Sequence, residues 1–210
     1  MTTPARYAKY PFLAERAVVW SEVARYLGRD AGPIDTLLEL GAGYCDFTNH
    51  FPARRRIALD LNPDMAEFAD PDVDFRVQDA TDLDRIETES VDLVFSSNFL
   101  EHLGAGQLDV LLPGIHRVLK ADGQLMLIQP NYERNPERYW DDETHVTVFS
   151  HKNITSFLEG YGFSVRKLVP GLLPFQMKSR LPKWRFLIRL YLNSPVRPLG
   201  AQMYVHARKS

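Results

Sequence analysis

The sequence predicts an α/β fold: a doubly wound, mostly parallel sheet of seven strands, with helices on both faces and a small insertion before the last strand. Three observations carry this. Short apolar runs alternate with helix-spaced segments, the pattern of parallel strands joined by crossover helices. The first run, within TLLELGAGYCD (Thr36 to Asp46), breaks into two glycines spaced by one residue, a tight turn free of side chains that lets backbone approach a ligand. Polar residues also recur where the runs end, at Glu39, Asp60, Asp79, Ser96-Ser97-Asn98 and Asn131. An open sheet binds its ligands at those carboxyl ends, so one cleft should collect them.

Phe12 to Leu27 carries apolar residues at Leu13, Ala17, Trp20, Val23, Ala24 and Leu27, which is helical spacing. Gly28 and then Gly32-Pro33 are expected to end that helix, and Ile34 to Leu40 supplies the first strand. Arg6, Tyr7 and Tyr10 precede the core, as a frayed terminus or as a lid over a ligand. After the glycine turn a short helix is expected over Asp46 to Phe51. A second strand follows over Arg56 to Leu61, a helix over Asp64 to Ala69 and a third strand over Val73 to Gln78. Val91 to Phe95 is a fourth strand that runs into SSNFLEHL, Leu108 to Leu119 a helix, and Gln124 to Gln129 a fifth strand stopped by Pro130-Asn131. Beyond a polar, aromatic-rich connection come a helix over Lys152 to Glu159, a strand over Phe163 to Val169 and a last strand over Ala201 to Ala207. Between those two strands lies a proline-bounded helix with Trp184, Leu187, Ile188 and Tyr191 on one face and Arg185 and Arg189 on the other. The expected organisation is one domain over 1–210: a helical cap at 1–33, a ligand-binding core at 34–131, and a substrate-side part at 132–210 that includes a basic amphipathic insertion at 170–199.

With 45% apolar and 25% charged residues, the chain has the composition of a soluble globular domain. A single cysteine, Cys45, excludes an intrachain disulfide framework. No Cys/His spacing of the metal-binding kind is found, so no metal is expected. Neither a signal peptide nor an apolar span of about 18 residues is seen, and a cytoplasmic location is expected. The net charge of −2 hides an asymmetry, because all 27 acidic residues lie at or before Glu159 while Gly160 to Ser210 holds 10 Lys/Arg and no acid. Such a tail docks on the acidic body, meets an anionic substrate or sits near anionic lipid.

The cleft chemistry narrows the ligand. A dinucleotide turn, G-x-G-x-x-G, wants a third glycine where this chain has Asp46, and an acid there repels phosphate. No phosphate-cradling G-x-x-x-x-G-K-S/T occurs. Acids before the turn (Glu39) and after the next two strands (Asp60, Asp79) suit a cationic or neutral ligand.

Taken together, ELGAG, ALDL, QDAT, VDLVFSSNFLEHL and VLKADGQLMLIQPN resemble the class I S-adenosylmethionine-dependent methyltransferases, over about Thr36 to Asn131. The resemblance implies a Rossmann-like fold with S-adenosylmethionine as cofactor. It implies that Gly41, Ala42 and Gly43 let backbone approach the methionine part, with Glu39 beneath. Asp60, followed by Leu61, would accept from both ribose hydroxyls, Asp79 would take the adenine amino group, Ala80 a ring nitrogen, and Ser97 would lie against the cofactor. The family often carries a third glycine where this chain has Cys45, read here as close packing and not as a nucleophile.

Methyl transfer from a sulfonium needs positioning and exclusion of water, and a base only when the acceptor is a hydroxyl. Two histidines compete for that role. His102, in LEHL, acts on the acceptor or makes a structural hydrogen bond; His145, beside Asp141, Asp142 and Glu143, acts as base or lies in a solvated loop. His50, His116, His151 and His206 are expected to be surface or structural. The segment 178–192 either packs on the domain or touches a membrane as an amphipathic helix. Its look is loosely similar to methyltransferases of bacterial glycan assembly, which implies a small-molecule or glycan hydroxyl as acceptor. A nucleic-acid acceptor is not expected, since the cleft is acidic and strand five is followed by QPNY in place of an N/D-P-P-Y/F motif. The alternatives are a non-catalytic cofactor-binding module, a methyltransferase on a lipid-linked acceptor, and a nicotinamide dehydrogenase, which Asp46 opposes.

Overall fold

A computed structural model describes residues 15–174 and 183–210. Arg6, Tyr7, Tyr10 and the 178–182 part of the basic segment lie outside the described residues. The sheet has seven strands in the order β3-β2-β1-β4-β5-β7-β6. They are β1 (Ile34–Leu40), β2 (Ala53–Asp60), β3 (Val73–Val77), β4 (Val91–Ser97), β5 (Leu119–Pro130), β6 (Phe163–Pro174) and β7 (Gly200–Lys209). β1 lies at the centre because Leu37, Leu38 and Leu40 are apolar on both of its faces and all are fully buried. The first five strands are parallel, and β7 runs antiparallel between β5 and β6. Chain order reverses between β1 and β4, which puts the ligand crevice at their carboxyl ends.

Alternation along the strands sends side chains into two cores. On one face, Leu38, Leu59, Val94, Leu127 and Val205 pack with helix α2 (Ala105–Val118) and helix α4 (Ile154–Glu159). On the other, Leu37, Phe95, Met126 and Tyr204 pack with α1 (Glu15–Ala31), Phe47 and Phe51, and with Leu192 of α5 (Arg185–Asn193). A one-turn helix α3 (Pro136–Tyr139) interrupts the connection after β5.

Three local expectations are corrected. Helix α1 runs through Gly28 and stops at Ala31, where Gly32 takes the left-handed conformation (φ 68°) and donates to the Gly28 carbonyl at 3.1 Å. Asp46 to Phe51 is a run of turns and not a helix. Asn49 and Phe51 do make helix-type bonds to Cys45 and Phe47, but the Thr48 amide leaves the ladder and donates to the Glu39 carboxylate at 2.9 Å. The expected helix after Pro63 is a 3-10 helix over Pro63–Phe68, begun by the Asn62 side chain accepting from the Asp64 amide.

The basic tail docks in part on the acidic body. Arg189 donates to both oxygens of the buried Glu22 at 2.6 and 2.8 Å, Lys167 pairs with Asp30 at 2.8 Å, and Lys209 reaches Glu89 at 3.5 Å. Turning Arg189 inward splits the single apolar face expected for α5. Ile188, Tyr191 and Leu192 pack on the α1 side, whereas Trp184, Phe186 and Leu190 stay exposed at 61, 60 and 65%, with Trp184 stacked on Phe186. Among the described residues no helix is long and apolar enough to cross a membrane.

Candidate functional site

The glycine turn is held from below. Gly41 and Gly43 have φ of 65° and 50°, and Cys45 follows at 54°, a sequence of left-handed residues that bends the chain back over the ends of β1 and β2. A methyl group on Gly41 would lie 2.8 Å from the Phe99 ring, while one on Gly43 would meet nothing within 4 Å. The space beside Gly43 is therefore open to a ligand and the space beside Gly41 is filled by the protein. The Ala42 amide donates to the Leu59 carbonyl at 3.0 Å.

Glu39 sits under this turn, 4% exposed, and accepts from the Thr48 amide and hydroxyl. Burial pushes its carboxyl up to about 8, against the pull of those bonds. Asp60 closes the turn from the side: one carboxylate oxygen accepts from the Gly43 amide at 2.7 Å and the other from the Asn62 amide at 2.8 Å. A carboxylate has about four lone-pair sites, so two remain for a bound diol. Asp79 is exposed, with one oxygen taken by the Thr81 amide and hydroxyl at 2.9 and 2.7 Å. Ala80 is buried beside it. Leu61, just after β2, and Val77, the last residue of β3, are 53% and 57% exposed, an uncovered apolar ledge next to Asp60, Asp79 and Ala80. Ser97, half-buried, accepts from Asn98, which is itself anchored through Gln202 at 2.7 Å.

Asp46 does not stand as a bare repelling charge. Arg16 pairs with its carboxylate, the Nε–O distance being 2.9 Å, so the expected electrostatic argument against phosphate is weakened by a partner 30 residues upstream. Burial raises the Asp46 pKa and Arg16 pulls it back. Cys45 is fully buried, and the loss of hydration pushes its thiol up, away from reactive thiolate.

The second part of the site lies after β4 and β5. The short 3-10 turn Leu100–His102 carries Glu101, 0% exposed, with neither carboxylate oxygen hydrogen-bonded. Its main-chain carbonyl accepts from the Val146 and Thr147 amides at 2.9 and 3.1 Å, which brings the His145 loop against it. His145 Nε2 then lies 3.8 Å and His102 Nε2 3.9 Å from the same Glu101 oxygen, with the two imidazoles 4.9 Å apart. His145 Nδ1 donates to the Tyr139 carbonyl at 2.7 Å. His102 Nδ1 donates to the Thr144 hydroxyl at 2.7 Å, since that hydroxyl's own proton goes to Asp142 at 2.6 Å. Burial pushes Glu101 up to about 8 and holds His102 below the usual histidine range. His145 is 6% exposed and no solvated loop residue, and His102 is the more open of the two.

Of the other histidines, His206 bonds Gln124 at 2.7 Å, His50 bonds the Asp46 carbonyl and His151 contacts Asn131. The residues missed in the sequence are Glu101, Thr48 and Arg16. Glu101 stood in plain view inside LEHL, but a charged residue in an apolar frame signals burial only once the frame is placed.

Comparison with known proteins agrees with this geometry. Residues 38–127, from β1 through β5, match the family described as "Methyltransferase domain". Among solved structures, a SAM-dependent methyltransferase from Archaeoglobus fulgidus matches at 22% identity and a TM-score of 0.68, covering 98% of this chain and 97% of that one. The methyltransferase bound to the Trm112 activator in Haloferax volcanii matches at 20% identity and 0.68, covering 98% and 93%. The 1,6-didemethyltoxoflavin-N1-methyltransferase of Burkholderia thailandensis, solved with its acceptor and S-adenosylhomocysteine, matches at 17% and 0.61, covering 94% and 80%. No curated protein matches the chain.

Residues 38–127 carry the methyltransferase-domain match, which spans the glycine turn and the β2, β3 and β4 ends, and the sheet has the fold of S-adenosylmethionine-dependent methyltransferase structures. The protein is a methyltransferase, and S-adenosylmethionine is its cofactor. The residues present fit that group, with open space at Gly43, spare acceptor capacity on Asp60 and Asp79, and an apolar ledge at Leu61. When bound, it supplies an electrophilic methyl on a sulfonium.

Proposed function

We infer that the protein methylates a hydroxyl oxygen of a small molecule, with a sugar or other glycan unit as the acceptor class. The observation that carries this is the cluster of His102 and His145 around Glu101, at the strand-end side where an acceptor enters. An amine has a lone pair ready for attack, whereas a hydroxyl must lose its proton during the transfer and needs groups that handle it. In this reading His102 and His145 are the catalytic residues, His102 as the more accessible one, while Glu39, Gly41, Ala42, Gly43, Asp60, Leu61, Asp79, Ala80 and Ser97 hold the cofactor. The test uses cofactor labelled in its methyl group, incubated with the full-length protein and parallel panels of glycans, hydroxylated metabolites and amines. Label appearing in ethers supports the reading. Label found in amines alone, or cofactor binding without any turnover, overturns it; the latter outcome describes a non-catalytic cofactor-binding module.

A second reading concerns location. The exposed Trp184, Phe186 and Leu190 on a helix flanked by lysine and arginine favour peripheral contact with the inner face of the cytoplasmic membrane, and with it a lipid-linked acceptor. Co-sedimentation with anionic vesicles that is unchanged in Trp184→Ala/Phe186→Ala removes this reading.

A further inference from the structure

Glu101, His102 and His145 form an arrangement that the protein alone leaves incomplete. Glu101 is wholly buried, both of its oxygens lack a hydrogen-bond partner, and the nearest polar atoms are two imidazole Nε2 atoms at 3.8 and 3.9 Å. Those distances are beyond a hydrogen bond. The tautomers make the deficit sharper. Each histidine uses its Nδ1 hydrogen outward, His145 on the Tyr139 carbonyl and His102 on the Thr144 hydroxyl, so in each ring it is Nε2 that faces Glu101. The Glu101 carboxyl and the two Nε2 atoms thus face one another with no hydrogen bond between them, and a cation at their centre would engage all three at once.

We propose that Glu101, His102 and His145 bind one divalent transition-metal ion of the zinc, iron(II) or manganese class. Two imidazoles and one carboxylate are the donor set these ions select, and a three-residue set leaves coordination positions open. The donor atoms lie within 4.8 Å of one another. Bonds of about 2.1 Å place neighbouring ligand atoms roughly 3.0–3.5 Å apart, so closure around an ion asks for side-chain adjustments of about 1 Å or less. The supporting bonds are of the kind that metal-binding histidines use, Nδ1 to a carbonyl for His145 and Nδ1 to a hydroxyl held by Asp142 for His102. Glu101 also ties the two halves of the site together through its carbonyl, which bonds the Val146 and Thr147 amides. Ion binding rests on these side chains alone. Its service to the acceptor rests on the hydroxyl reading given above: a hydroxyl bound to the ion would have its pKa lowered and release its proton to solvent before attacking the methyl carbon, while the two histidines hold the ion and do not act as free bases.

The experiment is a metal titration of the full-length protein after chelation and dialysis, with Co²⁺ followed by visible absorption and Zn²⁺ and Mn²⁺ by calorimetry. One saturable site per chain is expected. Glu101→Gln and His102→Ala should each weaken it by about 100-fold or more, and Thr144→Val, which frees the His102 ring, by roughly 10-fold. Circular dichroism and titration with S-adenosylmethionine serve as the fold control for every variant. A chain that takes up no ion, or takes it up equally well in folded Glu101→Gln and His102→Ala, overturns the proposal. A saturable site found together with methylation of amines alone leaves the metal site standing and removes only the hydroxyl reading.

Discussion

The two ends of the cleft are built differently. At the cofactor end, each functional residue lies within a few positions of a strand end, and the contacts that fix it are local: Glu39 to Thr48, Asp60 to Gly43, Asp79 to Thr81. At the acceptor end, Glu101 and His102 meet a histidine more than 40 residues away, held by a loop whose position depends on the Glu101 carbonyl and on Tyr139. The first end is fixed by contacts close in sequence and the second by a contact across more than 40 residues. Cofactor recognition is accordingly read from short motifs, whereas the acceptor chemistry emerges only when the chain is folded.

That contrast is testable, and the largest effect on cofactor binding falls on Asp60. Asp60→Ala removes the proposed acceptor for the cofactor hydroxyls together with the clamp on the Gly43 amide, and is expected to weaken S-adenosylmethionine binding by about 100-fold, or roughly 2.7 kcal/mol. His145→Ala in the same titration should stay within about threefold of the parent. Equal losses in both would show that the two ends are one unit.

The glycines give a smaller and internal comparison. Gly41→Ala meets the left-handed penalty of about 1–2 kcal/mol and drives a methyl group against the Phe99 ring, so its melting temperature should fall by roughly 6–10 °C. Gly43→Ala carries only the backbone penalty and should lose about 3 °C while blocking the cofactor side of the turn. Similar melting losses in the two would contradict the difference in their surroundings.

A separate test lies in the pH dependence of stability. Glu39 has its carboxyl raised from 4.5 to about 8 in the folded chain. The folded state therefore binds this proton more tightly than the unfolded one, and the stability present below about pH 4.5 is progressively lost as pH rises toward 8. Relative to Glu39→Gln, which keeps the acceptor for Thr48 but does not ionise, the parent should lose about 2–4 kcal/mol across that window, measured by denaturant unfolding at pH 4.5, 6 and 8. A parallel pair of curves would mean that Glu39 is ionised in the folded protein without cost.

Much of the fold was legible because period and punctuation agree. Leu37, Leu38 and Leu40 read as a strand buried on both faces and are one, and the strand-end acids do line one edge of the sheet. The short helix expected after the glycine turn failed for a physical reason. Phe47 and Phe51 have helical spacing, but Cys45 is left-handed and Glu39 captures the Thr48 amide, which breaks the ladder. The face of α5 failed for another: Arg189 is drawn inward by Glu22, 167 positions earlier, and no local pattern reports such a partner. Glu101 was illegible for a third, since a lone acid between Leu100 and His102 reads as solvated until its burial is known.

The place of β7 has a consequence for how the chain is made. It is the last strand in sequence but an interior strand of the sheet, bonded to β5 on one side and β6 on the other. Until Gly200–Lys209 has been synthesised, β5 presents an open edge of 12 residues, and β6 has no strand to pair with. A nascent chain in that state displays the kind of unpaired strands that draw other chains into aggregates. The ten residues of β7 thus act as a clasp on the growing polypeptide, and a premature stop within them would cost far more than their number suggests.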